Sequence, residues 1–223
     1  MPAYQVLADA LRARILTGEL QPGAKLPIEP ELSQQYGVSR STVREALRVL
    51  ASQNLITTTR GVSGGSFVAH PNPEQISGYL EASFRLLTQA DSLSMQELAD
   101  ARDLLEVPAA GLAALRRSED QLEELRDTLF VPELTAPERA MELNKSFHSV
   151  LMRSTGNPLV EVLTRPVIEV IYDYVVDYDA PEHFWSAMDG DHDLIFAAVA
   201  DRDPVSAREA TQEHLRKLRP ACC

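Results

Sequence analysis

The chain has 223 residues, of which 44% are hydrophobic, so it is long enough for two compact domains with separate cores. No apolar run approaches the ~20 residues that cross a bilayer, and the first residues lack a signal peptide's basic and apolar regions. We therefore expect a cytoplasmic protein that does not bind membranes. Cys222 and Cys223, the only cysteines, stand at the chain end, which excludes a disulfide framework and indicates a frayed tail.

The formal net charge of −12 would ordinarily argue against binding to nucleic acid. The charge is unevenly distributed, however. Residues 1–73 hold seven basic and five acidic residues, a net charge of +2, and the rest of the chain carries −14. Because only the first part needs to face DNA, an acidic remainder is compatible with a DNA-binding protein and would help to orient it.

The first elements of the chain predict a helix-turn-helix. Tyr4 to Leu16 form an amphipathic helix that ends near Gly18, and Pro22-Gly23 then makes a turn. Residues 32–50 follow as a short helix, a glycine turn and a second helix. The turn contains Gly37, and Ser39 is placed to cap the second helix.

The second of these helices has two distinct faces. Apolar side chains recur at i, i+3, i+4 and i+7 on a predicted buried face, at Val43, Ala46, Leu47 and Leu50. Arginines at i, i+4 and i+8 lie on the other face, roughly 6 Å apart, a spacing that suits phosphates and guanine edges in a major groove. These are Arg40, Arg44 and Arg48. The alternative is a solvated arginine stripe, but the complete helix-turn-helix pattern favours DNA binding.

Two short strands, at residues 55–59 and 66–68, are predicted around the glycine-rich segment 60–65. This β-hairpin would form a wing, and its glycines would let the backbone approach a phosphate or the minor groove closely. The first 70 residues thus read as a winged helix-turn-helix domain, and Pro71-Asn72-Pro73 begins a linker over residues 71–75.

The remainder, residues 76–219, is predicted to be an all-α bundle of seven helices. Capping boxes are expected at Ser94/Glu97 and Thr135/Glu138, Asp203 should cap the last helix, and Pro108 should kink the second. The expected fold class is therefore mainly α, with one small hairpin in the N-terminal domain. The predicted helices lie near residues 74–88, 94–116, 118–129, 137–154, 157–177, 181–200 and 204–218.

Histidines within this bundle could converge on one site. Asn144 and His148 are one helical turn apart on the same face, and His192 and His214 lie on two later helices. Imidazole nitrogens with an oxygen donor form a ligand set that divalent metals accept. Single histidines on helices are more often hydrogen-bonded core or surface groups, so the spacing alone leaves both interpretations open.

Residues 4–69 resemble the DNA-binding domain of the GntR family of transcription regulators. The segment Ile15 to Pro27 matches the opening I-x-x-G-x-x-x-P-G-x-x-L-P, and the helix-turn-helix and the wing follow at the right distances. This chain has Pro30 where many members carry a basic residue, which removes one expected contact with DNA. The resemblance implies that Arg40 and Arg44 read bases. The full set of implied DNA contacts is Ser39, Arg40, Ser41, Thr42, Arg44, Arg48, Arg60 and Gly61.

The segments 144–148, 154–159 and 191–192, together with His214, resemble the FCD effector domain of the FadR subgroup. In that subgroup an aspartate four residues before the first histidine joins three histidines as metal ligands. The resemblance implies a divalent ion such as zinc or nickel on Asn144, His148, His192 and His214. Because a neutral amide is a poorer ligand than a carboxylate, the site should bind metal more weakly or through the three histidines alone. The alternative is a member that has lost the metal and keeps an organic cavity.

Arg102 belongs to an R-x-x-x-E segment that also resembles the effector domain. Its guanidinium could reach into the same cavity and hold the carboxylate of an effector. The competing interpretation is an ion pair between Arg102 and Glu106, at i and i+4, and the two can hold together.

These observations predict a homodimeric, ligand-responsive regulator whose winged helices read an operator of inverted-repeat symmetry. A small carboxylate effector in the bundle would release repression, with activation as the alternative. A metalloenzyme is a rival, but no catalytic base stands at motif spacing. A sensor for the metal itself is a third possibility, against which Asn144 argues.

Overall fold

The computed structural model describes residues 1–61, 64–70, 72–131, 135–177 and 182–219, leaving aside the side chains of residues 137, 175–177 and 182–190. It divides into two compact units, Met1–Asn72 and Pro73–Cys223. The predicted tail at Cys222 and Cys223, the wing residues 62–63, linker residue 71 and the predicted helix start at residue 181 lie outside the described residues.

The first unit contains three helices and one hairpin. The helices are α1 (Ala3–Leu16), α2 (Glu29–Tyr36) and α3 (Arg40–Ser52), and the strands are β1 (Ile56–Thr59) and β2 (Gly65–Val68). The strands are antiparallel, with Ile56 opposite Val68 and Thr59 opposite Gly65. The predicted winged helix-turn-helix with its small hairpin is thereby confirmed.

Local chemistry explains the turn between α2 and α3. Gly37 ends α2 with a φ of +64°, a left-handed conformation that glycine adopts without steric cost. Ser39 then caps α3, because its Oγ accepts a hydrogen bond from the Thr42 backbone N–H at 3.1 Å. The buried face of α3 holds Val43, Ala46 and Leu50, whereas Leu47 is only half-buried. The first unit's core also includes Leu7, Leu11, Leu26, Leu32, Ile56 and Val68.

The wing has a close neighbour that the sequence did not reveal. Residues 23–26 run beside β2, where the Leu26 N–H donates to the Ser66 carbonyl at 2.8 Å and the Val68 N–H donates to the Ala24 carbonyl at 2.9 Å. At the turn, a Cβ on Gly64 would lie 2.5 Å from the carbonyl oxygen of Thr59. The hairpin therefore needs glycine at position 64 for steric reasons.

The described part of the second unit contains seven helices, as predicted. All follow the predicted ranges closely, although the third of them is shorter than the 118–129 that we expected. They are α4 (Pro73–Gln89), α5 (Met95–Arg116), α6 (Glu119–Arg126), α7 (Pro137–Arg153), α8 (Pro158–Asp177), α9 (Glu182–Ala200) and α10 (Pro204–Leu218). Among the described residues, no helix is both long and apolar enough to cross a membrane.

Capping was predicted correctly for two helices and wrongly for a third. The Glu97 N–H donates to Ser94 Oγ at 3.2 Å and the Ser94 N–H donates to Glu97 Oε2 at 2.8 Å. Asp203 Oδ1 accepts from the backbone N–H groups of Val205 and Ser206. The predicted Thr135/Glu138 box is absent, because α7 begins at a proline and its cap is therefore Ala136, whose side chain has no acceptor. The hydroxyl of Thr135 donates to the Val131 carbonyl instead.

Small residues on α5 let the other helices pack closely around it. Ala109, Ala110, Ala113 and Ala114 are buried against apolar side chains of α7 and α9. At Gly111 a Cβ would lie 3.0 Å from the Pro204 carbonyl oxygen at the start of α10. Helix α5, which carries Pro108 and continues unbroken from Met95 to Arg116, thus forms the centre of the bundle.

The core of the first unit yields a stability prediction. Truncating the fully buried Leu50 to alanine should lower the free energy of unfolding by about 2–5 kcal/mol, because it removes apolar contacts and leaves a cavity. Leu16→Ala is the matched control, since Leu16 is 70% exposed and its truncation should cost less than about 0.5 kcal/mol. Chemical denaturation followed by circular dichroism measures both, and equal losses would contradict the proposed core.

Candidate functional site

The exposed face of α3 carries the three predicted arginines. Arg40, Arg44 and Arg48 are all solvent-exposed. The guanidinium of Arg44 donates to both carboxylate oxygens of Glu29, at 3.3 and 3.1 Å, and Arg48 donates to Glu45 at 3.3 Å. The contact between Arg44 and Glu29 joins α3 to the first turn of α2, and the sequence did not predict it.

Hydroxyl groups cluster at the N-terminus of α3. Ser39 Oγ lies 2.7 Å from Ser41 Oγ and 2.8 Å from Thr42 Oγ1. The positive end of a helix, with exposed hydroxyls around it, suits a phosphate group. Arg60 and Gly61 follow β1 on the wing, where both are exposed and Gly61 has a φ of +112°. All eight predicted DNA contacts therefore lie in the first unit, and only Thr42 is half-buried.

In the second unit, the structure brings three of the predicted metal ligands together. His148 on α7, His192 on α9 and His214 on α10 are fully buried. Each offers a ring nitrogen, and these nitrogens lie within 4.8 Å of one another. Phe147 stacks on the His192 ring with 4.0 Å between ring centroids, which fixes the orientation of that imidazole. We call these three side chains the histidine cluster.

The histidine cluster contains polar atoms that nothing in the described structure satisfies. Both ring nitrogens of His192 and both of His214 are buried without a hydrogen-bond partner among the described residues. Asp191 Oδ2 approaches His214 Nδ1 only to 3.6 Å, which is too far for a good hydrogen bond. Buried polar atoms without partners are costly, and four of them in one place suggest a ligand.

Burial also sets the charge state of the cluster. It lowers the pKa of His148 to about 4, although the carboxylate of Glu106 opposes this change. Burial likewise lowers the pKa of His214, and it lowers that of His192 well below its usual value. The three imidazoles are therefore neutral at pH 7, which is the form that coordinates a metal. The residues present fit a divalent ion.

A buried ion pair borders the cluster. Arg102 Nε donates to Glu106 Oε1, and Arg102 Nη2 lies 3.0 Å from His148 Nε2. The other oxygen of Glu106 lies 2.6 Å from His148 Nδ1. Burial alone would raise the pKa of Glu106, but the charge of Arg102 and the contact with His148 hold it below its usual range. The predicted ion pair with Glu106 is therefore present, and the same guanidinium reaches His148, while the binding of an effector's carboxylate by Arg102 stays a prediction.

The remaining predicted ligand, Asn144, is buried one turn before His148 on α7. Its Oδ1 accepts a hydrogen bond from the hydroxyl of Tyr172 on α8. The sequence did not predict the role of Tyr172, because no spacing rule connects it to the other residues. It predicted Glu106 only as the partner of Arg102. The i, i+4 spacing of Arg102 and Glu106 was the one available signal for the buried carboxylate.

Little open space leads to Arg102. A cleft of about 10 Å³ lies between α5, α8 and α10, enough for about one water molecule. Arg219 lies at this cleft and binds Asp100 at 2.8 Å and Asp103 at 2.6 Å. An organic ligand that contacts Arg102 through this cleft would have to displace those side chains.

Comparisons with known proteins agree with this architecture. Residues 3–68 match the family described as bacterial regulatory proteins, gntR family, and residues 97–217 match the FCD domain. The HTH-type transcriptional regulator LutR of Bacillus subtilis is 30% identical over 216 residues, covering 92% of this chain and 94% of the relative. The Uxu operon transcriptional regulator of Escherichia coli is 27% identical and covers 97% of this chain and 85% of its own length.

A solved structure extends the comparison to three dimensions. Streptococcus agalactiae GntR superimposes with a TM-score of 0.67 and 29% identity, covering 97% of this chain and 99% of that one. The matching domain models, the similar regulators and the shared fold all indicate the same family. The chain therefore belongs to the GntR family of bacterial transcriptional regulators, in the FadR subgroup with its FCD effector domain, and is a DNA-binding regulator rather than an enzyme.

Proposed function

We propose that this regulator is a homodimeric repressor that leaves its operator when a small organic acid binds in the FCD domain beside a divalent metal. One observation supports this most strongly. The buried histidine cluster presents four ring nitrogens that have no hydrogen-bond partner among the described residues, and the guanidinium of Arg102 contacts its third imidazole, His148. A set of neutral imidazoles beside a fixed cation suits a metal together with an organic anion.

Residues 1–70 form the proposed DNA-binding domain, residues 71–75 the linker and residues 76–219 the effector-binding and dimerisation domain. The two compact units and the two family matches support this division. One small domain makes few base contacts, and two copies related by a two-fold axis double them. The proposed operator is accordingly an inverted repeat. Because its target is bacterial DNA, we place the protein in the cytoplasm.

In the DNA complex, Arg40 and Arg44 would contact base edges in the major groove. The planar guanidinium can donate two parallel hydrogen bonds to guanine. Arg44 must exchange its partner Glu29 for a base to do so, whereas Arg40 has no hydrogen bond or ion pair with another described side chain. The proposed phosphate and wing contacts come from Ser39, Ser41, Thr42, Arg48, Arg60 and Gly61.

The metal would be zinc, nickel or a similar ion, held by His148, His192 and His214. When bound, it would supply a buried positive charge with an open position for an oxygen atom of the effector. Asn144 would be at most a weak ligand, because its amide carries no charge and its oxygen accepts from Tyr172. Arg102 would hold the effector's carboxylate.

The effector would act by changing how the helices of the bundle pack. Arg102 is on α5, His148 on α7 and His214 on α10, so a ligand that contacts all three links three helices. A ligand shifts DNA affinity only by the difference in its affinity for the two states. Because the observed cleft is small, we expect the effector-bound state to be more open between α5, α8 and α10.

A test of DNA reading follows from the exposed arginines. Arg44→Ala should weaken operator binding between about fivefold and about 150-fold, the range for losing one bidentate base contact. Fluorescence anisotropy with promoter fragments and a genomic library, across a salt series, measures this change. Arg139→Ala is the control, because Arg139 is an exposed arginine of α7 in the second unit and should leave binding unchanged.

Arg44 and Arg139 lie in different units, so a loss of binding in only one variant can be assigned to one unit. Selective, salt-sensitive binding that only Arg44→Ala weakens would support the proposed recognition helix. If wild type selects no fragment of the library, or if both variants bind alike, that role of α3 is wrong.

A second test addresses the metal. Protein stripped with a chelator should take up one zinc or nickel ion per chain, and His214→Ala should weaken uptake at least about tenfold by removing a ligand. His70→Ala is the control, since His70 belongs to the first unit. Elemental analysis and isothermal titration calorimetry supply the stoichiometry and the affinity. Uptake that is the same in wild type and in His214→Ala would overturn the proposed site.

A further inference from the structure

One atom of the histidine cluster differs from the others. His148 Nδ1 lies 2.6 Å from the carboxylate of Glu106, and an ionised carboxylate can only accept, so this nitrogen carries the hydrogen. The lone pair of His148 is then on Nε2, where Arg102 Nη2 approaches to 3.0 Å. His192 and His214 have no such partner among the described side chains. The only lone pair with which His148 could bind a metal already accepts a hydrogen bond from an arginine.

Among the described residues, the charges next to His148 are balanced without a metal. Arg102 and Glu106 form a buried ion pair in which the two charges offset each other. Asp191, whose carboxylate approaches His214 Nδ1 to 3.6 Å, binds Lys217 at 2.6 Å. Asn144 adds no charge at the position where the subgroup's pattern has an aspartate. A divalent ion would therefore bring two positive charges into a buried site beside an ion pair whose charges already offset each other.

Those charges would lie next to the guanidinium of Arg102, which is only 2% exposed. Like charges at this range repel strongly when water is excluded. Arg102 and a metal also need the same electron pair of His148. Metal binding through His148 thus requires Arg102 to leave that nitrogen, and its guanidinium must then find a new acceptor or stay buried with one fewer hydrogen bond.

We propose that Arg102 and a divalent metal compete for Nε2 of His148, and that an anionic carboxylate allows the metal to bind by accepting the displaced guanidinium. This inference rests on the proposed metal site and concerns how that site is controlled. Arg102 acts as an internal substitute for the metal. Once it turns away, its charge and the charge of the ion both favour a carboxylate between them.

Metal and carboxylate then bind cooperatively. Each alone meets a cost, because the metal must displace Arg102 and the carboxylate must enter a site whose arginine is already paired with Glu106 and His148. Together they remove this cost, and the coupling is reciprocal by thermodynamic necessity. The charge of the site favours a dicarboxylate in particular, since two negative charges offset those of the ion. The best regulatory signal would be the acid and the metal together.

The test measures metal affinity and not DNA binding. Zinc is titrated calorimetrically into chelator-stripped protein, with no addition, with malonate or with its neutral analogue malonamide, after correction for zinc that malonate binds. In wild type, malonate should tighten zinc binding by about tenfold or more, within the usual range of coupling between sites, and malonamide should not. Cobalt in place of zinc reports the same events by its visible absorption.

Variants of Arg102 separate competition from simple charge effects. Arg102→Met should bind zinc at least about tenfold more tightly than wild type without malonate, and malonate should then change the affinity by less than about threefold. Asn144→Asp should also raise the affinity for zinc alone, because it restores a negative charge. Arg139→Met, in which an exposed arginine of α7 is changed, is the matched control and should behave like wild type.

Arg102→Met leaves Glu106 as an unpaired buried charge and could fail to fold. The double variant Arg102→Met/Glu106→Gln removes both charges together, and the oxygen of the new side-chain amide can still accept from His148 Nδ1. It should show the same tight, malonate-independent zinc binding. If neither variant folds, the wild-type and Asn144→Asp titrations decide the question by their response to malonate.

The outcomes distinguish the two levels of the proposal. If no variant binds zinc with or without malonate, the metal site itself is wrong and this inference falls with it. If wild type and the Arg102 variants bind zinc equally well, or malonate and malonamide act alike in wild type, the competition is wrong while the metal site stands. Tight zinc binding that needs malonate only when Arg102 is present supports the competition.

Discussion

The second unit is organised around a charge that cannot reach water. Arg102 is buried in the bundle, and an isolated guanidinium there would be very costly. Glu106, one helical turn later, neutralises it and at the same time orients His148 through its second oxygen. One carboxylate with two partners thus connects α5 to α7. The state of the nearby imidazoles follows from the same burial.

Much of the fold was predictable because the first unit uses local signals. Gly37 ends one helix, Ser39 caps the next, and the apolar residues of α3 recur on its buried face. Each of these features is encoded within a few neighbouring residues. The seven helices of the second unit were found for the same reason. The Thr135/Glu138 box failed because the proline that follows moved the cap by one residue, and a capping pattern read without its neighbours cannot show this.

The candidate site was only partly predictable. The convergence of His148, His192 and His214 was expected from the resemblance, and spacing alone could not choose between ligands and ordinary buried histidines. The roles of Tyr172 and of Glu29 depend on contacts between helices, which periodicity does not contain. The position of the Arg102 guanidinium on His148 Nε2 likewise results from packing in three dimensions, so the sequence predicted the residue and not its partner.

Gly111 shows how a site can be constrained from a distance. It has no side chain where α10 approaches α5, and a single added carbon would lie 3.0 Å from the backbone of Pro204. Helix α5 also carries Arg102, and α10 also carries His214. A larger residue at position 111 would require the backbone at Pro204 and the side chain of Arg208 to shift by a few tenths of an ångström relative to α5. We therefore expect natural variation at this position to be restricted by the geometry of a cluster that the residue never touches.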